Sequence, residues 1–249
     1  NNAVLSSIDF SRFTTVGWFY LKTNPLLGPT LDMSSLTSTT SGYFYVRDMA
    51  LATTVLAGNL ATVALNVYIT GNPLLQTLDL SSLTTVGTTV YLNTPSATSF
   101  GAPALGNLVS VGSTFEIRFN LVPAIDLSKV TSVGGGGLAL QATIVTTIDL
   151  SSLTTLGGFD AQDNAALTTV TFHTALTSLS GKFVLINNAV LSSIDFSHFT
   201  TVGGFYLKTN PLLGPTLDIS SLTSTTSGYF YVWDMALATT VLAGNLATV

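Results

Sequence analysis

The sequence contains no cysteine and few charged residues. Seven residues are Lys or Arg and twelve are Asp or Glu, so that 8% of the 249 residues carry a charge and the net charge is −5. Without cysteine, disulfides and cysteine-ligated metal sites are excluded. The Lys and Arg residues form no cluster, which argues against nucleic acid as a partner, because phosphate binding needs a basic surface.

Long apolar runs are also lacking, although 47% of the residues are hydrophobic. Ser, Thr, Gly or Asn interrupts every apolar run well before the ~20 residues that a membrane-spanning helix needs. We therefore expect no membrane insertion.

Residues 1–63 return as residues 187–249 without a gap, at an offset of 186 residues. Only four of these 63 positions differ between the copies: Arg12/His198, Trp18/Gly204, Met33/Ile219 and Arg47/Trp233. The sequence therefore predicts one long repeat over residues 1–186 and the start of a second, nearly identical one over residues 187–249.

A finer repeat divides the long one. Segments of the form G-x-Φ-x-Φ-x-x-N, in which Φ is apolar, recur as in "GWFYLKTNPLL" (17–27) and "GKFVLINNAVL" (181–191). Eight such units in 186 residues give about 23 residues per unit, and each continues through a short strand such as "LDLSSL" into "TTVG". Units of this length predict an all-β fold, a parallel β-solenoid (β-helix) that runs as one continuous domain through residues 1–249.

Alternation along the first strand of each unit predicts which side chains face the interior. The predicted interior pairs are Phe19/Leu21, Phe44/Val46, Val67/Ile69, Val90/Leu92, Phe115/Ile117, Leu138/Leu140, Phe159/Ala161, Phe183/Leu185 and Phe205/Leu207.

Aspartates recur at one point of the second strand. One hypothesis is a carboxylate ladder that binds calcium, with Asp79, Asp126 and Asp149 as candidate ligands. The alternative, which we favour, is that each carboxylate accepts hydrogen bonds from the turn that follows it. A row of unneutralised charges would also repel itself. The column contains Asp9, Asp32, Asp79, Asp126, Asp149, Asp195 and Asp218.

One outward column of the first strand is mostly tyrosine, and Glu116, Ala139, Asp160 and Val184 interrupt it. With the aromatic residues beside it, this column predicts an exposed surface, the aromatic stripe, that contacts a partner molecule or sugar rings. The alternative is a cross-strand ladder that only stabilises the sheet. The stripe comprises Trp18, Tyr20, Tyr43, Tyr45, Tyr68, Tyr91, Tyr206, Tyr229, Tyr231 and Trp233.

Hydroxyl residues stack into further rows, from the "TTV" segments (14–16, 53–55, 84–86, 200–202) and the "SSL" segments (34–36, 81–83, 151–153). Such rows are expected to carry O-linked glycans, to bind ice, or to serve only as strand and turn residues. No N-x-[ST] sequon occurs, so N-glycosylation is not expected.

No catalytic constellation is apparent. His173 and His198 are the only histidines, and neither has a carboxylate or hydroxyl at the spacing of a triad. The glycine run at 134–137 is not followed by the G-K-[ST] of a phosphate-binding loop. We therefore expect the protein not to be an enzyme and to need no cofactor.

The segments "FYLKTNPLL" and "FVLINNAVL" resemble the leucine-rich-repeat consensus, and the fuller unit "LTTVGGFYLKTNPLLGPTLDISSL" resembles the receptor L-domain. The resemblance extends over essentially the whole chain. It implies a leucine-rich-repeat-like β-solenoid with an extracellular or cell-surface location and no catalysis. The cysteines that commonly close receptor L-domains are missing here.

Neither end of the sequence resembles a polar cap, because Asn1 and Val249 both fall inside a repeat unit. We expect end-to-end continuation, with eight coils at ~4.8 Å giving an axial repeat of roughly 38 Å. These features favour a structural fibre, filament or cell-surface stalk, in which the aromatic stripe and the hydroxyl rows serve lateral packing or O-glycan attachment. The alternative function is a soluble binding module, either an ice-binding protein or a glycan-binding adhesin.

Overall fold

The computed structural model describes residues 2–99, 105–118 and 121–247, so that Asn1 and Val249 lie outside the described residues. Within these ranges there is no helix that is long and apolar enough to cross a membrane. The strands, in chain order, are β1 Thr15–Val16, β2 Phe19–Lys22, β3 Thr30–Asp32, β4 Ser38–Thr39, β5 Phe44–Arg47, β6 Thr54–Leu56, β7 Thr62–Val63, β8 Asn66–Thr70, β9 Thr77–Asp79, β10 Thr85–Val86, β11 Thr89–Asn93, β12 Ser110–Val111, β13 Thr114–Arg118, β14 Ser132–Val133, β15 Gly137–Gln141, β16 Thr147–Leu150, β17 Thr155–Leu156, β18 Phe159–Gln162, β19 Thr169–Phe172, β20 Ser178–Ile186, β21 Ser193–Ile194, β22 Thr201–Lys208, β23 Thr216–Asp218, β24 Ser224–Trp233 and β25 Thr240–Leu242.

The strands stack coil upon coil as a parallel β-solenoid of about 10 turns with roughly 23 residues per turn, which confirms the predicted fold class. Each strand pairs in parallel with its equivalent in the next coil. The first strands form a ten-stranded sheet in the order β2-β5-β8-β11-β13-β15-β18-β20-β22-β24. The "TTV" strands form a seven-stranded sheet in the order β1-β4-β7-β10-β12-β14-β17.

The third side of the coil is divided, although the sequence predicts continuous sheets. It consists of the separate sheets β3-β6-β9, β16-β19-β21 and β23-β25. The turn Asp is missing in the units "VLAGN" (55–59 and 241–245) and "VTFHT" (170–174), yet their strands β6, β25 and β19 pair within these sheets. The side that carries the aspartates is less regular than the two other sides.

The interior follows the predicted alternation on the ten-stranded sheet. All eighteen residues predicted to face inward, from Phe19 to Leu207, are buried. Met33 and Ile219 occupy equivalent positions in the two long copies, and both are 1% exposed. The two side chains are similar in volume, and a core tolerates such a substitution.

Val184 departs from the prediction. It lies on the outward column, in register with Asp160 of the preceding coil and Tyr206 of the following one, yet only 7% of it is exposed. A small side chain between larger neighbours on a pleated sheet is covered by them, which alternation within one strand cannot reveal.

Buried asparagines join neighbouring coils at the corner after the first strand. The Asn72 side-chain Oδ1 accepts a hydrogen bond from the Met49 backbone N–H at 2.9 Å, and its Nδ2 donates to the Val46 carbonyl at 3.1 Å. Asn164, Asn188 and Asn210 repeat this arrangement in later coils. The Asn of the repeat motif therefore satisfies backbone groups that the turn would leave unpaired in the interior.

Glycines of the "TTVG" corner allow the coils to approach each other closely. A Cβ at any of them would collide with the backbone of the preceding coil, so that larger residues are excluded. The column consists of Gly87, Gly112, Gly134, Gly157, Gly181 and Gly203.

The two long copies provide an internal test of how burial arises. Val55 is fully buried beneath the coil that follows it, whereas its identical counterpart Val241, in the last described coil, is 42% exposed. Phe44 is likewise buried and Phe230 only partly. Burial in this fold therefore comes from the neighbouring coil.

We predict that Asn72→Ala destabilises the protein by about 2–4 kcal/mol, because it leaves the Met49 N–H and the Val46 carbonyl unpaired in the interior. Asn59→Ala is the matched control, since Asn59 is exposed and its side chain donates only to the Ser34 carbonyl. Urea unfolding measures both variants. Equal losses of stability would contradict an inter-coil role for the buried asparagines.

Candidate functional site on the outward face of the ten-stranded sheet

The tyrosines of the aromatic stripe stack on one another along the ten-stranded sheet. The ring centroids of Tyr20 and Tyr45 lie 4.5 Å apart, those of Tyr45 and Tyr68 5.1 Å, and those of Tyr68 and Tyr91 4.6 Å, with interplanar angles of 5–18°. Such pairs contribute about 0.5–1.5 kcal/mol each beyond the area that they bury. Burial within the row raises the pKa of Tyr68.

Stacking restricts how this row can contact a partner. The faces of Tyr45 and Tyr68 are covered by the neighbouring rings on both sides, which leaves only ring edges and hydroxyl groups accessible. Tyr20, at the start of the row, is 58% exposed. The contact of the stripe with a partner molecule stays a prediction. In the middle of the row, a partner could pack against the edges of the tyrosine rings but could not stack a sugar ring on their faces.

The row resumes in the second long repeat. Tyr206 and Tyr231 stack at 5.3 Å, and Tyr229 lies 6.0 Å from Tyr206. At the other end of the molecule, Trp18 contacts Tyr43 edge-on at 4.8 Å. The structure therefore groups the ten predicted stripe residues into two aromatic clusters on one face, separated by the coils of Glu116, Ala139, Asp160 and Val184.

The Arg47/Trp233 difference changes a cross-strand pair. In the first copy Lys22 lies opposite Arg47, and Arg47 is held by an ion pair with Asp48 at 3.1 Å and a hydrogen bond to the Tyr45 hydroxyl. In the second copy Lys208 lies over the Trp233 ring at 5.4 Å. A like-charge pair is thus replaced by a cation–π contact.

A second exposed surface was not predicted from the sequence. At the corner after the first strand, one aliphatic side chain per coil points outward, 36–49% exposed, in eight coils. We call this row the aliphatic ridge. In the "NPLL" units the ridge residue is the first Leu. The sequence contains both leucines but does not tell which of them is exposed and which is buried. The ridge comprises Leu26, Leu51, Leu74, Leu121, Ile144, Val190, Leu212 and Leu237.

The "TTV" hydroxyls form two rows with different roles. In the first row, the hydroxyls of Thr37, Thr84 and Thr154 donate to backbone carbonyls of the preceding coil at 2.8–3.2 Å. In the second row, here called the hydroxyl row, the side chains are exposed or half-buried on the outward face of the seven-stranded sheet. The hydroxyl row consists of Thr15, Ser38, Thr62, Thr85, Ser110, Ser132 and Thr155, in register in successive coils.

The aspartate column forms turns, as the favoured hypothesis states. The Oδ1 of each of the seven aspartates accepts a hydrogen bond from the backbone N–H two residues later, at 2.8–3.0 Å. These bonds, with those from the Ser side chains, lower the pKa of Asp32, Asp126 and Asp218. Among the described residues no three His, Asp or Glu side chains come together as a metal site would require, so that Asp79, Asp126 and Asp149 are not assembled for calcium.

The histidines have structural surroundings. His173 Nδ1 accepts a hydrogen bond from the Ala175 N–H at 2.9 Å, in a coil that lacks the turn aspartate. Both ring nitrogens of His198 are buried without a partner, and the ring lies 4.5 Å from that of Phe199. Burial lowers the pKa of His198, opposed in part by the charge of Asp195.

We predict that His198 makes stability depend on pH. The unfolded chain binds a proton near pH 6.5 and the folded chain only at lower pH, so that stability is lost as the pH falls below about 6.5. Urea unfolding at pH 8 and pH 5 should show a smaller loss for His198→Gln than for the wild type. The same loss in the wild type and in His198→Gln would contradict the assignment.

Comparison of the chain with protein-family models, with curated proteins and with solved structures gives no match.

Proposed function

We propose that this protein is a structural, non-enzymatic repeat protein of the extracellular space or cell surface, built to form a fibre, filament or stalk. The observation that carries the proposal is the junction between the long repeats. Ile186 and Asn187 are adjacent across this junction within one stack. There β18, β20 and β22 pair in parallel, with one register shift between Leu179 and Lys182. A repeat that joins its successor without a cap can be concatenated along the solenoid axis.

The outer surface supports lateral packing of such rods. The aromatic clusters and the aliphatic ridge expose apolar side chains along the length of the rod, and contiguous apolar surface of this kind is typical of interaction sites. Only two ion pairs occur among the described residues. Lateral contacts would therefore be apolar and hydroxyl-mediated, and O-linked glycans on the hydroxyl row would be the alternative use of that face.

Electron microscopy of the purified protein and of the native material tests the proposal. We expect threads with an axial repeat of roughly 38 Å, from eight coils at ~4.8 Å. Compact, single particles at every concentration, in both preparations, would overturn the fibre.

Lateral packing is tested separately with two sets of variants. Tyr45→Ser with Tyr68→Ser and Tyr231→Ser removes the ring edges of the aromatic stripe, and Leu74→Ser with Leu212→Ser interrupts the aliphatic ridge. We expect bundling, measured by light scattering, to fall in at least one set while circular dichroism stays that of the wild type. Unchanged bundling in both sets would exclude these surfaces.

The hydroxyl row favours one second candidate, an ice-binding protein. Seven Ser and Thr side chains repeat at the spacing of the coils on one regular parallel face, and large side chains are absent from that row. Regularly spaced hydroxyls on a flat face can match a repeating lattice, whereas the aromatic stripe on the neighbouring sheet cannot.

Thermal hysteresis decides this candidate. If the hydroxyl row binds ice, Thr85→Tyr should abolish the freezing-point difference, because a large side chain would hold the face away from the lattice. Thr70→Tyr, on the ten-stranded sheet, is the control and should retain it. Absence of thermal hysteresis in the wild type excludes ice binding.

A further inference from the structure

The tyrosine column is interrupted over four successive coils, and the interruption forms an open notch of about 290 Å³. From Tyr91 the register runs through Glu116, Ala139, Asp160 and Val184 to Tyr206. Five coil steps at ~4.8 Å separate the two tyrosines by roughly 24 Å along the axis. We call this region the notch.

The floor of the notch lacks side chains of any length. Gly135, Gly136, Gly158 and Gly181 line it together with Ala139. A Cβ at Gly135 would meet no atom within 4 Å, which shows that the space above this floor is open. The notch is thus open above Gly135, whereas a Cβ at Gly136 would already meet the Thr114 side chain.

Four charged side chains of balanced sign line the notch. Arg118 is hydrogen-bonded to Glu116, and Asp160 accepts a bond from Gln162 Nε2 at 2.9 Å. Lys182 lies over the Tyr206 ring, 5.2 Å from its centroid. The same notch is lined by Glu116, Arg118, Asp160 and Lys182, and burial raises the pKa of the Asp160 carboxyl. In a protein with 8% charged residues, this concentration of charge is exceptional.

We propose that the notch binds a neutral oligosaccharide strand that lies along the solenoid axis. Two acidic and two basic groups give no net charge, so an ionic ligand gains little, whereas hydroxyl groups find both donors and acceptors. Tyr91 stacks on Tyr68 and lies opposite Glu116 in the next coil, so that the tyrosine row ends where the polar lining of the notch begins. A peptide strand is disfavoured, because the strands below are already hydrogen-bonded on both sides within the sheet.

This site goes beyond the proposed function and rests on it only for the extracellular setting. In the middle of the aromatic stripe the ring faces of Tyr45 and Tyr68 are covered by their neighbours. The notch, at the gap in that stripe, is where hydrogen-bonding side chains of both signs line an open surface.

Calorimetric titration with hexasaccharides tests the proposal. The probes are the neutral β-1,3-glucan, β-1,4-glucan, mannan and chitin hexamers, with hexagalacturonate and hexameric chitosan as charged controls. We expect at least one neutral hexamer to bind and to be preferred over both charged ones. Ala139→Tyr, which restores the tyrosine of the other coils and fills the notch, should weaken binding at least tenfold.

Thr70→Tyr adds the same side chain to the same sheet outside the notch and should bind as the wild type. Lys182→Ala, at an exposed position, should also weaken binding without unfolding the coil, and circular dichroism checks all three variants. The proposal would be overturned if no neutral hexamer bound or if a charged hexamer were preferred. It would also be overturned if Ala139→Tyr and Lys182→Ala both bound as tightly as the wild type. Fibres formed by Ala139→Tyr should be normal, so that failure of the fibre and failure of the notch are distinguishable.

Discussion

Every coil of this solenoid depends on its neighbours for burial, and the rest of the structure follows from that constraint. One coil of roughly 23 residues cannot enclose its own apolar side chains. Val55 and Val241 stand in the same local sequence, and only the one with a coil stacked upon it is fully buried. At about 25 cal/mol per Å² of apolar surface, the interface between coils therefore provides most of the stabilisation.

Stacking also sets which residues each column tolerates, because an outward side chain faces its equivalent one coil away. Asparagine suits the corner column, since it bonds to the coil before it, and glycine suits the column where backbones touch. Tyrosine stacks on tyrosine. Aspartate is accepted in a column at the turns, where each carboxylate accepts a hydrogen bond from the backbone N–H two residues later. Where charges do gather, Glu116 and Arg118 share one strand, Asp160 and Lys182 follow on later strands, and the tyrosine column breaks.

Much of this could be predicted from the sequence, because period-2 alternation and a repeat near 23 residues fix the coil and its interior. Phe19, Phe115 and Phe205 are buried as predicted, and the turn role of the aspartates followed from local chemistry. What could not be predicted depends on distances between coils. The burial of Val184, the exposure of Leu74 beside buried Leu75 and the open floor at Gly135 all arise from packing across the stack. The division of the third side is likewise absent from the repeat pattern, since the units without a turn Asp pair within its sheets.

Native-state hydrogen exchange tests the central claim most directly, because the chain contains its own control. Residues 44–46 and 230–232 have the same sequence and the same strand upstream of them, but only the first set has a coil stacked above. The account predicts that, in the protein kept monomeric by dilution, amides of residues 44–46 exchange at least a hundredfold more slowly than those of residues 230–232. Equal protection of the two sets would contradict the conclusion that each coil is stabilised by the next.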